Sequence, residues 1–173
     1  MASTAFQRIS RLVRHRLLDE RDTRRAIPPD VLARLGQRVA QSEARHTGQI
    51  RVYAEASLPT SYVMRDASPR DRAVAMFGKL RVWDTLHNNG VLVYLLLAER
   101  AIEVVADRGV TSRVPEAQWQ RIVGAMTNEF RTGQYEQGLG RAIDEVTALL
   151  VQHFPAAAGQ AHPNELPDEP VLG

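Results

Sequence analysis

Between Asn89-Gly90 and Glu99-Arg100 the chain runs Val-Leu-Val-Tyr-Leu-Leu-Leu-Ala, in which the Tyr94 hydroxyl is the only polar side-chain atom. A strand that is apolar on both faces has to be covered on both, so Val91–Ala98 is predicted at the centre of a sheet with a layer on each side. The run is far too short to cross a bilayer, which takes about 20 residues. Glu99-Arg100 reads as a tight turn. Ala101–Asp107 then alternates, with Ile102, Val104 and Ala106 inward, and is predicted to return antiparallel beside the central strand.

The other elements follow from periodicity. Gln49–Ser57 alternates, with Ile50, Val52, Ala54 and Ala56 on one face and Arg51, Tyr53 and Glu55 on the other, the pattern of a half-buried strand ended by Pro59. Pro28-Pro29-Asp30 opens a helix with Val31, Leu35 and Val39 inward, stopped at Gly48. Ser68-Pro69-Arg70-Asp71 is an N-cap with an acidic residue at the third helical position. The helix it starts turns Ala73, Met76, Phe77, Leu80 and Trp83 inward. Two helices close the domain. One starts at Pro115 and carries Trp119, Ile122, Val123, Met126 and Phe130; the other carries Tyr135, Leu139, Ile143, Val146, Leu150 and Phe154. A strand–helix–strand unit calls for a parallel crossover. The expected fold is therefore α/β: a small mixed β-sheet sandwiched between helices, with an extra N-terminal amphipathic helix.

Three segments are expected: a basic amphipathic helix over 1–27, an α/β domain over 28–154 and a disordered tail over 155–173, where the composition turns to Ala, Gly, Pro and acid. In the first, Phe6, Ile9, Val13 and Leu17 recur at helical spacing among Arg8, Arg11, Arg14 and Arg16. The simpler reading docks that helix on the domain by its apolar stripe. The sharper one gives residues 6–25 to an anionic membrane surface or a protein partner. No nucleic acid is expected: aromatic interleaving is missing, net charge is only +2, and all but one of the basic residues are arginine, as a GC-rich genome would encode. The chain has no cysteine, which excludes disulfides, thiolate metal sites and a Cys nucleophile. The N-terminus lacks the apolar core and cleavage site of a secretory signal, so a cytoplasmic location is expected.

The predicted topology gathers His46, Asp84, His87, Asn88, Asn89, Asp107 and Arg108 at one rim of the sheet. Asp84, Asn88, Asn89 and Asp107 are the candidate oxygen ligands for Ca²⁺ or Mg²⁺. The plainer alternative is turn chemistry, with Asp107 serving loop amides. No phosphate-binding glycine loop, His-Glu-x-x-His or Gly-x-Ser-x-Gly occurs. Gly138-x-Gly140 lacks the third glycine and preceding strand of a dinucleotide site and reads better as close helix packing. His15, His153 and His162 stand alone, with surface or core roles.

The segment Asn88-Asn89-Gly90-Val91-Leu92-Val93-Tyr94 through Glu99-Arg100-Ala101-Ile102-Glu103-Val104, with the later Phe130-Arg131-Thr132-Gly133-Gln134-Tyr135 and Gly138, resembles the TPM domain family. The resemblance runs from about Pro28 to Phe154 and looks like a short bacterial, cytoplasmic branch carrying Arg81-Val82-Trp83-Asp84-Thr85 before His87. It implies an α/β/α sandwich, and it implies acid phosphatase activity, divalent-cation binding or a part in assembling membrane complexes. Asn88 stands where the family has an acidic residue, and Thr111 falls where one is common. Fewer carboxylates make a weaker cation site. The function expected is a non-enzymatic binding or assembly module with at most a weak divalent-cation site. The alternative is a weak metal-assisted acid phosphatase, with Asp84 and Asp107 as oxygen ligands and His87 as general acid/base. Neither the protein partner nor the oligomeric state is legible in the sequence.

Overall fold

The uninterrupted apolar run forms the strand it predicts, and the rest of the chain is arranged to cover it. The structure is a computed structural model that describes residues 5–157 and 163–173; Met1–Thr4 and residues 158–162, including His162, lie outside the described residues. In chain order the elements are α1 (Ala5–Leu17), α2 (Glu20–Ala26), α3 (Pro29–Glu43), β1 (Gln49–Glu55), α4 (Thr60–Met64), α5 (Pro69–Lys79), β2 (Gly90–Leu96), a 3-10 turn (Leu97–Glu99), β3 (Ala101–Ala106), α6 (Arg108–Thr111), α7 (Glu116–Arg131), α8 (Tyr135–His153) and β4 (Val171–Leu172).

The sheet has the order β3-β2-β1-β4. β1 runs parallel to β2, from Gln49 opposite Gly90 to Glu55 opposite Leu96. β3 returns antiparallel, from Leu96 opposite Ala101 to Val91 opposite Ala106. Alternation along the strands divides the core in two. Ile50, Val52, Ala54, Val91, Val93 and Leu95 face one way, into α3, α7 and α8. Tyr53, Leu92, Tyr94 and Leu96 face the other, into α4 and α5. This is the expected layer–sheet–layer arrangement. The Ser68 N-cap is also as read: its side chain accepts from the Asp71 amide while Asp71 accepts from the Ser68 amide.

Four local expectations are corrected. β1 is buried along its whole length rather than half-buried. Its polar side chains Arg51, Tyr53 and Glu55 are covered by α4, α5 and the chain's own C-terminus, which lie on that face. α5 ends at Lys79, and Arg81 adopts a left-handed φ of 56°. Trp83 therefore leaves the helix and is half exposed instead of inward.

The third correction concerns the tail. Residues 163–173 are ordered against β1 rather than disordered. The Gln49 side-chain oxygen accepts the Glu165 and Leu166 amides at 2.8 and 2.9 Å. Arg51 donates to the carbonyls of Pro167 and Glu169. β4 then pairs parallel with β1, Tyr53 opposite Val171 and Ala54 opposite Leu172. The reason is the open edge of β1, whose unpaired N–H and C=O groups are completed by the tail. Composition reports nothing about an edge built a hundred residues earlier in the chain.

The fourth is the N-terminal segment. It is two helices, divided at Asp19, which caps α2 by accepting from the Arg21 amide. α1 does not dock by its apolar stripe. Phe6, Ile9, Val13 and Leu17 are 80%, 61%, 52% and 76% exposed. The opposite face is held instead, because its ionic partners are long-reaching and specific. Arg11 Nε lies 2.7 Å from Glu99 Oε1 and Arg11 Nη1 3.0 Å from Asp66. Buried His15 joins the same carboxylate at 2.9 Å.

Candidate functional site

At the rim, the sequence sets two loops against each other. Asn88 takes a left-handed φ of 51°, which Asn tolerates better than most residues, and so turns the chain into β2. Asp107 leaves β3 and caps α6, its Oδ1 accepting the Arg108 amide at 2.7 Å. The loops are tied by the Asp107 amide on Gly90 O and the Gly109 amide on Asn88 O, both at 2.9 Å. A Cβ on Gly109 would stand 2.5 Å from Asn88 O and 2.7 Å from His87 O, so the approach requires glycine.

Of the seven rim residues, the structure brings together Asn88, Asn89, Asp107 and Arg108. Arg108 Nε donates to Asn88 Oδ1 at 3.2 Å. Asn89 is fully buried; its Nδ2 donates to Thr47 O at 3.0 Å and its amide donates to Thr85 Oγ1 at 3.0 Å. Asp84 is turned away, half exposed and paired with Arg81 at 2.5 Å. His87 is exposed. His46 is a buried core histidine, with Nε2 2.8 Å from Ser42 Oγ and Nδ1 on Gly48 O at 3.0 Å.

Two rim oxygens, Asn89 Oδ1 and Asp107 Oδ2, are buried with no hydrogen-bond partner among the described residues. They are the rim oxygens left for a cation, and together they carry one formal charge. Calcium takes six to eight oxygens at roughly 2.3–2.6 Å, with carboxylates setting the affinity. The described residues contain no group of three or more His, Cys, Asp or Glu able to hold a metal ion. The rim does not fit a dedicated divalent cage. Its architecture is that of two loops closing one end of the sheet.

A second polar cluster escaped the sequence reading. Glu55, at the end of β1, accepts both Arg72 Nε and Nη2 at 2.8 Å, Tyr94 OH at 2.6 Å and Tyr53 OH at 3.2 Å. Burial and the adjoining Glu55 charge push the Tyr53 hydroxyl up to about 12 and raise Tyr94 well beyond the usual phenol range. Every carboxylate oxygen is used, so the cluster is a closed brace between α5 and the sheet. The parallel register that begins at Gln49 and Gly90, which the structure supplies, sets Tyr53 beside Tyr94.

The third feature is α1. Its locked face is complete. His15 Nδ1 accepts the Leu58 amide at 3.0 Å, so the proton sits on Nε2 and is donated to Glu99. Burial alone would raise the Glu99 carboxyl; the bonds from His15 and Arg11 outweigh it and hold that group below its usual range. The free face presents the four apolar side chains. At 3.6 residues per turn, Arg14 and Arg16 flank the stripe on either side.

The TPM domain family model matches residues 21–149. Both α1 and β4 lie outside that span. Among solved structures the chain is similar to the BA42 protein of the psychrophilic bacterium Bizionia argentinensis, with a TM-score of 0.73 and 24% identity over 85% of this chain and 95% of that one. It is also similar to the N-terminal domain of a P. gingivalis protein, with a TM-score of 0.56 and 23% identity over 68% of this chain and 74% of that one. At these identities the likeness is one of fold. A search of the curated proteins found no match. No helix of the described residues is long and apolar enough to cross a membrane.

Proposed function

This chain belongs to the TPM domain family, and from that premise we propose that it is a non-enzymatic binding or assembly module that engages its partner through the outward face of α1. The observation that carries this reading is the inversion of α1. A helix meant only to complete the core would turn Phe6, Ile9, Val13 and Leu17 inward. Here Arg11 and His15 take the inner face and the apolar side chains are left in water, at a cost that contact with a partner would reverse. The absence of native cysteine permits a clean test. The Ile9→Cys thiol is expected to react with a maleimide about as fast as a thiol in a free peptide, while Ile27→Cys, in the core, is expected to be protected. Protection at Ile9 would mean the stripe is docked after all, and the reading would fall.

A weak divalent-cation site at the rim is a second reading, supported by the orphaned Asn89 Oδ1 and Asp107 Oδ2. With so few oxygen donors, calcium or magnesium is expected to bind no tighter than millimolar. Amide NMR titration checks this at Asn88–Gly90 and Asp107–Gly109. Phosphate-ester hydrolysis that needs the metal and disappears in Asp107→Ala would replace the module by the acid phosphatase.

A further inference from the structure

We infer that the partner of the α1 face is an anionic phospholipid surface; this rests on the reading of α1 given above and names what covers it. Four exposed apolar side chains form one stripe along α1, and the opposite face is fixed to the domain through Glu99, Asp66 and the Leu58 amide. The helix therefore presents its apolar side without having to unfold or leave the domain.

The charge around the stripe selects the partner. Residues 5–26 hold seven arginines against three carboxylates, on a chain whose net charge is only +2. Arg14 and Arg16, which flank the stripe, are exposed and form no ion pair among the described residues; the same holds for Arg8, on the other side of α1, and for Arg21 on α2. Arg14 also edges a cavity of about 680 Å³ between α1, α2 and the β2–β3 turn, whose lining sets Arg14, Arg25 and Arg100 against two carboxylates, Glu99 and the Asp22 that pairs with Arg25. A second copy of the chain would bring one arginine row against another, which costs energy. A bilayer with anionic headgroups meets both demands: its acyl boundary takes the stripe and its phosphates take the guanidiniums. An amphipathic helix with basic flanks lies in the plane of such an interface.

The test is co-sedimentation of the full chain with vesicles of phosphatidylcholine and phosphatidylglycerol in equal parts, against phosphatidylcholine alone. Binding is expected to the mixed vesicles only and to weaken with salt. Ile9→Asp is expected to reduce it about tenfold or more, from lost apolar burial. Arg14→Gln and Arg16→Gln are each expected to reduce it about fivefold. Val74→Asp, at an exposed apolar residue of α5, is expected to change nothing. Equal binding to both vesicle types, or binding indifferent to Ile9→Asp and Arg14→Gln, would overturn the inference. So would an absence of binding at low salt: with Ile9→Cys freely labelled, the lipid is wrong and the exposed face stands; with Ile9→Cys protected, both are wrong. A dimer in sedimentation velocity that Ile9→Asp dissolves would assign the face to a second copy instead.

Discussion

Single residues decide how closely the two rim loops meet. Gly109 sits where any side chain would strike the Asn88 and His87 carbonyl oxygens, and backbone atoms cannot swing aside as a flexible side chain would. Gly109→Ala is expected to cost about 1–3 kcal/mol, read as a lower urea midpoint with an unchanged slope. Asn88 does comparable work from the other loop, taking the left-handed turn and receiving the Gly109 N–H on its main-chain oxygen and Arg108 Nε on Oδ1. With the side-chain oxygen engaged by Arg108, the Asn at this position serves the loop closure.

Among the elements, α1 has the least conventional attachment. It is held by a carboxylate at a strand turn rather than by its apolar stripe. Glu99 receives Arg11 and His15 together, and the bonds lower its affinity for a proton despite partial burial. The folded state therefore binds fewer protons than the unfolded state just below the ordinary carboxylate range. Stability from this latch is complete above the unfolded value of 4.5 and is lost as pH falls through the lower, folded one. Protection of the α1 amides, taken relative to their intrinsic exchange rate at each pH, is expected to fall on acidification through that window, ahead of β1 and β2. In Glu99→Gln that protection is expected to be low already at neutral pH and not to change through the window.

For the molecule as a whole, the join between the last turn of α3, the first residues of β1 and the returning tail sets a second pH dependence of opposite sign. The Glu43 carboxyl accepts the Ile50 amide at 2.7 Å in a buried position. Burial, with help from the Asp168 charge on the tail, pushes it up to about 8. Between its unfolded value of 4.5 and 8 the folded chain carries an extra proton. The associated stability is whole below the first figure and lost as pH rises to the second. The melting temperature is expected to fall as pH rises through this range, and Glu43→Gln to flatten that fall. On these two groups stability should therefore be greatest near the ordinary carboxylate value of 4.5, where the Glu99 window ends and the Glu43 window begins.

How much of this could be read without coordinates depended on the range of the interaction. Val91–Ala98, the Asn-Asn-Gly entry, the Glu-Arg turn and the Ser68 cap are local patterns, and the amino-acid order alone determined the sheet centre, its antiparallel hairpin and the helical layers. Two rim loops meeting followed from that topology, because a parallel strand and a hairpin leave little choice of where their ends fall. Only the tertiary structure decided that Arg51 and Glu55 would be buried, which way α1 would turn and that the tail would close the β1 edge. Each of those outcomes depends on a partner far along the chain: Pro167 and Glu169 for Arg51, Arg72 and Tyr94 for Glu55, Glu99 for Arg11. Periodicity reports that a helix has two unlike faces. Which face meets the protein is set by the groups waiting opposite, and these are positioned only once the rest of the chain has folded.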